Sequence, residues 1–311
     1  MKIAVIGAGA MGSLFSAFLS RSKEDIWLLT GNKDEATIIN SKGICLDGVS
    51  GTWQARPKAS SDVREIGKAD LALICVKSFD TKRAIERIKP LLQENTKIMT
   101  MQNGLGNIEI ISELAGEERV IGGVTSEAST LIETGRIMHC GKGESLIGTL
   151  SGKTPVEIRQ IRESFNKAGL QTKASRDIKS LIWSKLIVNS GINALSAITR
   201  LPNGKLTEFE GTKRLLREAV SEAAKVAKRK RIKLVYDDPL AKAETVCEST
   251  AQNISSMLQD ILNRRRTEID FINGAIVRIG QELGITVPTN RLLTDLVKTI
   301  ESSYYFQINK K

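Results

Sequence analysis

The stretch that decides the fold lies at the start of the chain and reads Ile3-Ala-Val-Ile-Gly7-Ala-Gly9-Ala-Met-Gly12-Ser13. Its three glycines have the spacing G-x-G-x-x-G, between an apolar run typical of a strand and a stretch with helical periodicity. In such a unit the first glycine permits a tight turn, the second lets a pyrophosphate approach the backbone, and the third lets the helix pack on the strand. The free N–H groups of the helix N-terminus favour phosphate. The segment therefore predicts a dinucleotide-binding loop made by Gly7, Ala8, Gly9, Ala10, Met11 and Gly12.

Strand and helix patterns alternate through the first half of the chain. The strands predicted are Lys2–Ile6, Ile26–Leu29, Ala69–Val76, Lys97–Met101 and Arg119–Gly123, with helices at Met11–Ser20 and Thr81–Leu92. The run Ala69–Val76 is almost entirely apolar, which is typical of a strand buried on both faces. This alternation predicts an α/β domain of the Rossmann type, with a parallel sheet covered by helices.

The pattern then changes twice. A short hairpin is predicted around Gly48–Gly51, and Thr134-Gly135 predicts antiparallel pairing of its flanking strands. A helix at Thr154–Lys167 and a strand at Leu170–Lys173 follow, and beyond Asp177 the patterns are helical. We therefore predict a dinucleotide-binding domain over residues 1–175 and an all-α substrate and catalytic domain over residues 176–311.

Composition restricts the functional class. The chain has 311 residues and a formal net charge of +11, and its densest basic run is Lys228–Arg231. That run follows a helical stretch and has no interleaved aromatic residues, so we read it as a solvated helix end and predict no nucleic-acid partner. No window reaches the ~18 apolar residues of a membrane span. The strand predicted at Lys2 leaves no room for a signal peptide, so we expect a soluble, cytoplasmic protein without a membrane partner.

Neither a metal site nor histidine chemistry is predicted. His139 is the sole histidine, and no nucleophile-elbow pattern surrounds it, so the proton donor should be another residue type. The cysteines are widely spaced and form no C-x-x-C pair, which predicts reduced thiols without a bound metal. They are Cys45, Cys75, Cys140 and Cys247.

The end of the second strand bears on the choice of cofactor. It reads Leu28-Leu29-Thr30-Gly31-Asn32-Lys33, whereas an acid is expected at this point when the ribose is unphosphorylated. Thr30, Asn32 and Lys33 would suit a 2′-phosphate, which favours NADPH over NADH. Asp34 and Glu35 follow immediately, so the choice stays open.

Polar residues also follow two other strands. Lys77 follows Ala69–Val76, and Gln102-Asn103-Gly104 follows Lys97–Met101. Ligands of open α/β sheets bind outside the carboxyl ends of the strands, so Lys77 and Asn103 are predicted near the cofactor.

Two segments of the second half carry polar residues in apolar surroundings. Lys185, Asn189 and Asn193 are four residues apart, which places them on one face of a helix. Further on, Ser256 and Glu268 would lie about 18 Å apart if one helix joined them. Thr267 and Asp270 resemble a capping box, so we predict a helix break at residues 263–266 that brings Glu268 back.

At this point the chain resembles the ketopantoate reductase family over nearly its whole length. The resemblance rests on the glycine loop, Val76-Lys77, Gln102-Asn103-Gly104, Trp183–Asn189, Asn193, Pro202-Asn203-Gly204, Asn253–Asp260 and Thr267–Gly274. It implies NADPH-dependent reduction of 2-dehydropantoate (ketopantoate) to (R)-pantoate, for pantothenate and coenzyme A synthesis. The family usually has an arginine where Gly31 stands, and Gly-Pro where Arg265-Arg266 stand.

The resemblance also implies roles for individual residues. Lys185 is the general acid, and Glu268 orients the substrate hydroxyl. A lysine suits this role when its pKa is lowered toward neutrality, which an ionised Glu268 would oppose. The implied substrate-binding residues are Asn103, Asn189, Asn193, Asn203, Asn253 and Ser256, and Lys77 and Asn103 lie by the nicotinamide ribose.

Other functions are compatible with the same patterns. A related dehydrogenase could act on another small 2-keto or 3-hydroxy acid, and a sensor would bind nucleotide without turnover. A nucleic-acid-binding protein is supported by charge alone. The apolar faces of the C-terminal helices could pack within the chain or in a homodimer.

Overall fold

The computed structural model describes residues 1–307, which divide into two compact units. The first unit comprises Met1–Gln102 and Asn107–Ile178, and the second comprises Asn103–Gly106 and the chain from Lys179 onward. The segment Asn103–Gly106, which the sequence prediction placed in the first domain, thus clusters with the second unit.

The first unit contains strands and helices in alternation. Its strands are β1 (Lys2–Ile6), β2 (Asp25–Leu29), β3 (Ile44–Gly48), β4 (Trp53–Ala55), β5 (Lys58–Ser60), β6 (Leu71–Ile74), β7 (Lys97–Thr100), β8 (Val120–Thr125), β9 (Ala128–Glu133), β10 (Arg136–Gly141), β11 (Ser145–Thr149) and β12 (Thr172–Ala174). Its helices are α1 (Ala10–Leu19), α2 (Lys33–Lys42), α3 (Val63–Ile66), α4 (Thr81–Ile88), α5 (Asn107–Ala115) and α6 (Val156–Ala168).

The larger sheet has the strand order β12-β11-β8-β7-β6-β1-β2-β5. Strand β1 pairs in parallel with β2 on one side and β6 on the other, and Ile6 lies opposite both Leu29 and Ile74. Because the strand order reverses at β1, the carboxyl ends of β1 and β6 form the topological switch point, where such sheets bind ligands. The pair β8–β11 is antiparallel and the other neighbours are parallel. The Rossmann-type α/β prediction is confirmed.

Apolar helix faces cover both sides of this sheet. Leu14 and Phe15 of α1 belong to the core on one side, whereas Ile85 and Ile88 of α4 belong to a separate core cluster. Every residue of β6 is buried, because a central parallel strand has apolar contacts on both faces.

Several predicted bounds differ from the structure. Strand β6 is shorter than the apolar run Ala69–Val76, and α4 ends at Ile88. The chain continues there as a 3₁₀ turn, Lys89–Leu91, because Pro90 lacks the N–H of a helix interior. Helices α2 and α5 and strand β5 were not predicted. Only Ala36 and Ile39 of α2 are buried, so its helical periodicity is weak.

A smaller sheet in the first unit has the order β4-β3-β10-β9. Its antiparallel pairs β3–β4 and β9–β10 confirm the two predicted antiparallel connections. His139 lies inside this region, where its Nε2 donates to the carboxylate of Glu127 at 2.7 Å and its Nδ1 lies 3.0 Å from the Ser50 hydroxyl. The single histidine is therefore a buried residue of the first unit.

From Ile178 onward the regular secondary structure of the described residues is helical, as predicted. These helices are α7 (Ile178–Thr199), α8 (Glu210–Arg229), α9 (Pro239–Ser249), α10 (Ser256–Leu262), α11 (Asn273–Glu282) and α12 (Pro288–Ser302). Gly191 of α7 lies against α8, since a Cβ atom there would stand 2.7 Å from Cγ2 of Val220. The basic residues Lys228 and Arg229 end α8 and are exposed.

Helix α7 corrects one expectation. By length and composition alone it is apolar enough to cross a membrane, whereas the sequence prediction found no such window. Its most apolar 18-residue window is 72% buried inside the fold, which is the pattern of a core helix in a folded domain.

Candidate active site

The glycine loop of the first unit has the geometry that a bound pyrophosphate requires. Gly7 has φ +108°, and a Cβ there would meet Val76 at 2.9 Å. At Gly12 a Cβ would lie 1.8 Å from the Gly7 carbonyl oxygen, so helix α1 packs directly on the turn. A Cβ at Gly9 would have no atom within 4 Å, so the space above it is open. The loop thus combines two positions closed to a side chain with one open approach.

The N-terminus of α1 faces no side-chain cap. Gly9 is its N-cap residue and makes no side-chain hydrogen bond, and the first helical bond runs from Ser13 N to Gly9 O at 2.9 Å. The N–H groups of the first turn, at Ala10, Met11 and Gly12, are therefore not satisfied by a capping side chain. This arrangement, with the dipole of α1 behind it, fits the phosphates of a dinucleotide.

The loop after β2 is organised differently from the sequence prediction. Thr30 is 0% exposed, and its hydroxyl donates to the carbonyl oxygen of Asn32 at 2.7 Å. The Asn32 side chain caps α2 by accepting from the N–H of Glu35 at 2.9 Å. Lys33 is exposed at the first position of α2. Two of the three side chains predicted for a 2′-phosphate thus make hydrogen bonds within the loop.

Glu35 is one of the two acids that kept the choice of nucleotide open in the sequence analysis, and its side chain has a defined position in this loop. Its Oε2 accepts from the N–H of Gly31 at 2.9 Å, which fixes a carboxylate at the end of β2. Asn32-x-x-Glu35 has the spacing of a capping box, which would predict the cap by Asn32 but not that the carboxylate of Glu35 accepts from Gly31.

The residues after β6 and β7 have separate roles. Lys77 is half-buried and directly precedes the 3₁₀ turn Ser78–Asp80. The Gln102 amide donates to the carbonyl oxygen of Val76 at 2.7 Å and its oxygen accepts from the Thr100 hydroxyl at 2.8 Å. Gln102 therefore ties the ends of β6 and β7 together.

Asn103 belongs to a loop of the second unit. Within this loop, Leu105 N donates to Phe271 O at 2.8 Å. Gly104 has φ +88°, and a Cβ there would stand 2.3 Å from the same oxygen. The close approach requires glycine and holds residues 103–106 against the segment that carries Glu268.

Lys185 and Glu268 form the ionisable pair of the second unit. Lys185 is half-buried in the middle of α7, and Glu268 is buried. Burial lowers the pKa of Lys185 from 10.5 to about 8, while the negative charge of Glu268 opposes this by raising it. The result is an ammonium group that gives up a proton more readily than an ordinary lysine.

The two asparagines of α7 continue the face of Lys185. Asn189 is half-buried, and Asn193 is 6% exposed. The carbonyl oxygen of Asn193 accepts from the hydroxyl of Ser255 at 3.4 Å. Ser255 is also the N-cap of α10, where it accepts from Leu258 N at 3.0 Å. The sequence analysis missed Ser255, which joins α10 to α7 and leaves the neighbouring Ser256 exposed.

The helix break predicted at residues 263–266 is present and separates α10 from Glu268. Helix α10 ends at Leu262, and Arg264 follows in the left-handed conformation with φ +51°. Arg264 N donates to Ile261 O at 3.0 Å and Arg265 N donates to Asp260 O at 2.8 Å. This pair of bonds is a Schellman motif, formed here without glycine.

The predicted capping box was wrong. The Thr267 hydroxyl accepts from the N–H of Ile269 at 3.2 Å, so it forms a local turn. The Asp270 carboxylate lies 3.1 Å from the ammonium of Lys298 and 3.7 Å from Arg266. The chain continues as a 3₁₀ turn, Ile269–Phe271, which leads into α11.

Asn203 and Asn253 meet through their backbones. Asn203 N donates to Asn253 O at 2.9 Å, and the Asn203 side-chain amide donates to the Thr250 hydroxyl at 2.9 Å. Asn203 is buried and Asn253 is half-buried. Asn203 therefore holds the segment before α10 in place.

The chemistry available in these two units defines a class of enzyme. One unit has a dinucleotide loop, and the other has a buried acid beside a lysine of lowered pKa. Among the described residues, no group of three His, Cys, Asp or Glu side chains is placed to hold a metal ion. A dinucleotide loop and a lysine of lowered pKa beside a buried acid are typical of a nicotinamide-dependent oxidoreductase, in which hydride transfer is coupled to protonation by a side chain.

Comparison with known proteins gives the family. The family model "Ketopantoate reductase PanE/ApbA" matches residues 3–152, and its C-terminal companion matches residues 177–301. The chain belongs to the ketopantoate reductase family.

Relatives and solved structures agree with this assignment. The 2-dehydropantoate 2-reductase of Pyrococcus horikoshii is 36% identical over 302 residues, which cover 97% of this chain and 98% of that protein. The crystal structure of a PanE/ApbA family ketopantoate reductase from Ralstonia eutropha JMP134 is 34% identical, with a TM-score of 0.90 and coverage of 98% and 100%. The ternary structure of D-mandelate dehydrogenase with NADH and anilino(oxo)acetate is 28% identical, with a TM-score of 0.92 and the same coverage.

Proposed function

We propose that this chain reduces 2-dehydropantoate to (R)-pantoate with a reduced nicotinamide dinucleotide, as a step toward pantothenate and coenzyme A. The observation that carries the proposal is the pair formed by Lys185, whose pKa burial lowers to about 8, and the buried carboxylate of Glu268. The curated reductases that share the chain's full length support the choice of substrate.

The reaction needs a hydride at the 2-keto carbon and a proton at its oxygen. The nicotinamide cofactor supplies the hydride when bound. Lys185 stabilises the negative charge that develops on the oxygen and then transfers a proton to it, so the keto group becomes a hydroxyl group. With a pKa of about 8, Lys185 is largely protonated near neutral pH and is also a stronger acid than a solvated lysine.

The proposal gives Glu268 two roles, one toward the substrate and one toward the Lys185 ammonium. Its carboxylate can accept a hydrogen bond from the substrate hydroxyl and keep the Lys185 ammonium in the charged form. Loss of Glu268 should therefore disturb both the position of the substrate and the titration of the lysine.

The proposal assigns five further polar side chains to the substrate. The carboxylate and hydroxyl groups of the keto acid would be held by Asn103, Asn189, Asn193, Asn253 and Ser256. Asn203 acts on this set by bracing the segment 250–253. On this proposal residues 1–175 bind the dinucleotide, with Lys77 among its contacts, and residues 176–311 bind the keto acid together with the loop at Asn103.

The form of the nucleotide is a finer question. The sequence prediction of NADPH depended on Thr30, Asn32 and Lys33. The hydroxyl of Thr30 and the amide oxygen of Asn32 are engaged within the loop, which leaves the exposed Lys33 as the residue of this set that supports NADPH.

A direct assay tests the reaction. The oxidation of NADH, and separately of NADPH, is followed by absorbance with 2-dehydropantoate as the substrate. Benzoylformate is included because the likeness to D-mandelate dehydrogenase supports a second candidate, reduction of an aryl 2-keto acid. Preference for 2-dehydropantoate supports the proposal, and preference for benzoylformate replaces it with the second candidate.

The role of Lys185 has its own test. Lys185→Ala should lower kcat by roughly 10²- to 10⁴-fold, the usual contribution of a general acid, with the nucleotide dissociation constant unchanged. Lys185→Arg is the matched variant, because it keeps the positive charge but does not readily release a proton. Near-normal turnover by Lys185→Ala would refute the assignment.

The cellular setting follows from the same proposal. The partner is a small keto acid, and the cysteines are free thiols, as expected in a reducing cytoplasm. A homodimer is the assembly that we propose, and light scattering of the purified protein measures it.

A further inference from the structure

A carboxylate is fixed at the end of β2, although no acid directly follows the strand in the sequence. Glu35 lies in the first turn of α2 and reaches back to Gly31, whose N–H donates to Oε2 at 2.9 Å. The backbone of Glu35 is held in turn by Asn32, which caps the helix. Two hydrogen bonds therefore determine where this negative charge lies.

Gly31 makes room for that carboxylate. A Cβ at Gly31 would lie 3.3 Å from Glu35 Oε2, which is a tight contact. A long side chain at position 31 would compete with Glu35 for the same space. The absence of a side chain at Gly31 therefore leaves the space that the carboxylate of Glu35 occupies.

The position of the carboxylate has a consequence for the nucleotide. In a doubly wound sheet the end of the second strand lies beside the adenosine ribose. An ionised carboxylate accepts hydrogen bonds from vicinal hydroxyl groups, and it repels a phosphate dianion. Among residues 1–307, Oε2 has one hydrogen-bond donor, Gly31 N, so the carboxylate keeps further acceptor positions.

Two cationic side chains, Arg87 and Lys33, lie at this edge of the sheet. Arg87 donates to the carbonyl oxygen of Thr30 at 3.0 Å and to that of Ser61, so it ties together the loops after β2 and β5. Lys33 is exposed on a flexible stem, whereas Glu35 is half-buried and fixed. A fixed charge outweighs a mobile, solvated one in selecting a ligand.

We propose that Glu35, placed by Gly31, is the specificity-determining residue that makes this chain prefer NADH to NADPH. The proposal rests on the dinucleotide-binding function proposed above. One charge-assisted bond to a ribose hydroxyl, together with repulsion of a 2′-phosphate, should favour NADH by about ten- to hundredfold in dissociation constant.

Titration of the purified protein with NADH and with NADPH, by calorimetry without keto acid, tests this directly. The wild type should bind NADH at least about tenfold more tightly. Glu35→Gln keeps the size of the side chain and its acceptor for Gly31, yet it should weaken NADH binding, tighten NADPH binding and so reduce the ratio about tenfold or more. Asp34→Asn is the matched control, since it removes an exposed charge one residue away and should leave the ratio unchanged.

The outcomes separate this proposal from the reaction. Tighter binding of NADPH by the wild type, or an unchanged ratio in Glu35→Gln, would overturn the role of Glu35. Tight and selective NADH binding without turnover of 2-dehydropantoate would sink the proposed reaction and leave the role of Glu35 standing. Failure to bind either nucleotide would overturn both. Melting temperatures of both variants verify that they fold.

Discussion

The protonation state of Lys185 gives the sharpest prediction. Its pKa of about 8 means that half of the molecules carry the ammonium at pH 8 and about one-eleventh at pH 9. If the ammonium is the general acid, kcat/KM for keto acid reduction should be level below pH 7 and fall about tenfold per pH unit above pH 8. A solvated lysine would begin this fall only near 10.5.

Removal of the Glu268 charge should shift the alkaline limb of the pH profile, the fall in kcat/KM above pH 8, in a defined direction. The carboxylate raises the pKa of Lys185 and burial lowers it, so Glu268→Gln leaves burial unopposed. The limb should shift to lower pH by about one unit or more. The ratio of wild-type to variant activity should therefore be larger at pH 8 than at pH 6.

The assay is the initial rate of nicotinamide oxidation at saturating cofactor, measured across this pH range. Asp270→Asn serves as the control, because Asp270 is two residues from Glu268 but pairs with Lys298 and Arg266. Its limb should coincide with that of the wild type. A wild-type rate that is level up to pH 10, or a limb that stays in place in Glu268→Gln, would refute the reasoning.

Three further predictions concern binding and stability. Gly12→Ala places a Cβ against backbone and should lower the free energy of unfolding, measured in urea, by more than about 2 kcal/mol. Gly9→Ala should lower it by under about 1 kcal/mol. The same Gly9→Ala variant should weaken dinucleotide binding, measured by calorimetry, at least about tenfold. Arg264→Gly should stabilise the protein by roughly 1 kcal/mol, because glycine adopts the left-handed conformation without strain; a lower melting temperature would contradict this. Glu222 accepts from the N–H groups of Thr289 and Asn290, both at 2.9 Å, at the start of α12. Glu222→Ala should therefore lower the free energy of unfolding in urea by roughly 3 kcal/mol. A loss below about 1 kcal/mol would show that water replaces the carboxylate.

Local patterns were enough to predict the fold class. The glycine spacing, the apolar run before it and the helix behind it are fixed within about twenty residues, so the β1–α1 unit could be read directly. Helix α2 was missed because it buries few apolar residues and is stabilised by its cap and by packing. The apolar length of α7 was underestimated, and only its burial identifies it as a core helix.

The candidate site also combines features that the sequence predicted with features that it did not predict. The four-residue spacing of Lys185, Asn189 and Asn193 is a property of one helix, so the sequence alone placed them on one face. The pKa of Lys185 is lowered by burial and raised in part by Glu268, more than eighty residues away, and no local pattern contains that information.

The loop after β2 and the helix break before Thr267 show most clearly what sequence patterns do not predict. The sequence determined which polar residues stand after β2, and it determined that a helix break lies before Thr267. Only the tertiary structure decided that Thr30 and Asn32 make hydrogen bonds within their own loop, that Glu35 turns its carboxylate to the strand end, and that Arg264 takes a conformation usual for glycine. The physical reason is that each polar group has few hydrogen bonds to make, and three-dimensional packing decides which partner takes them.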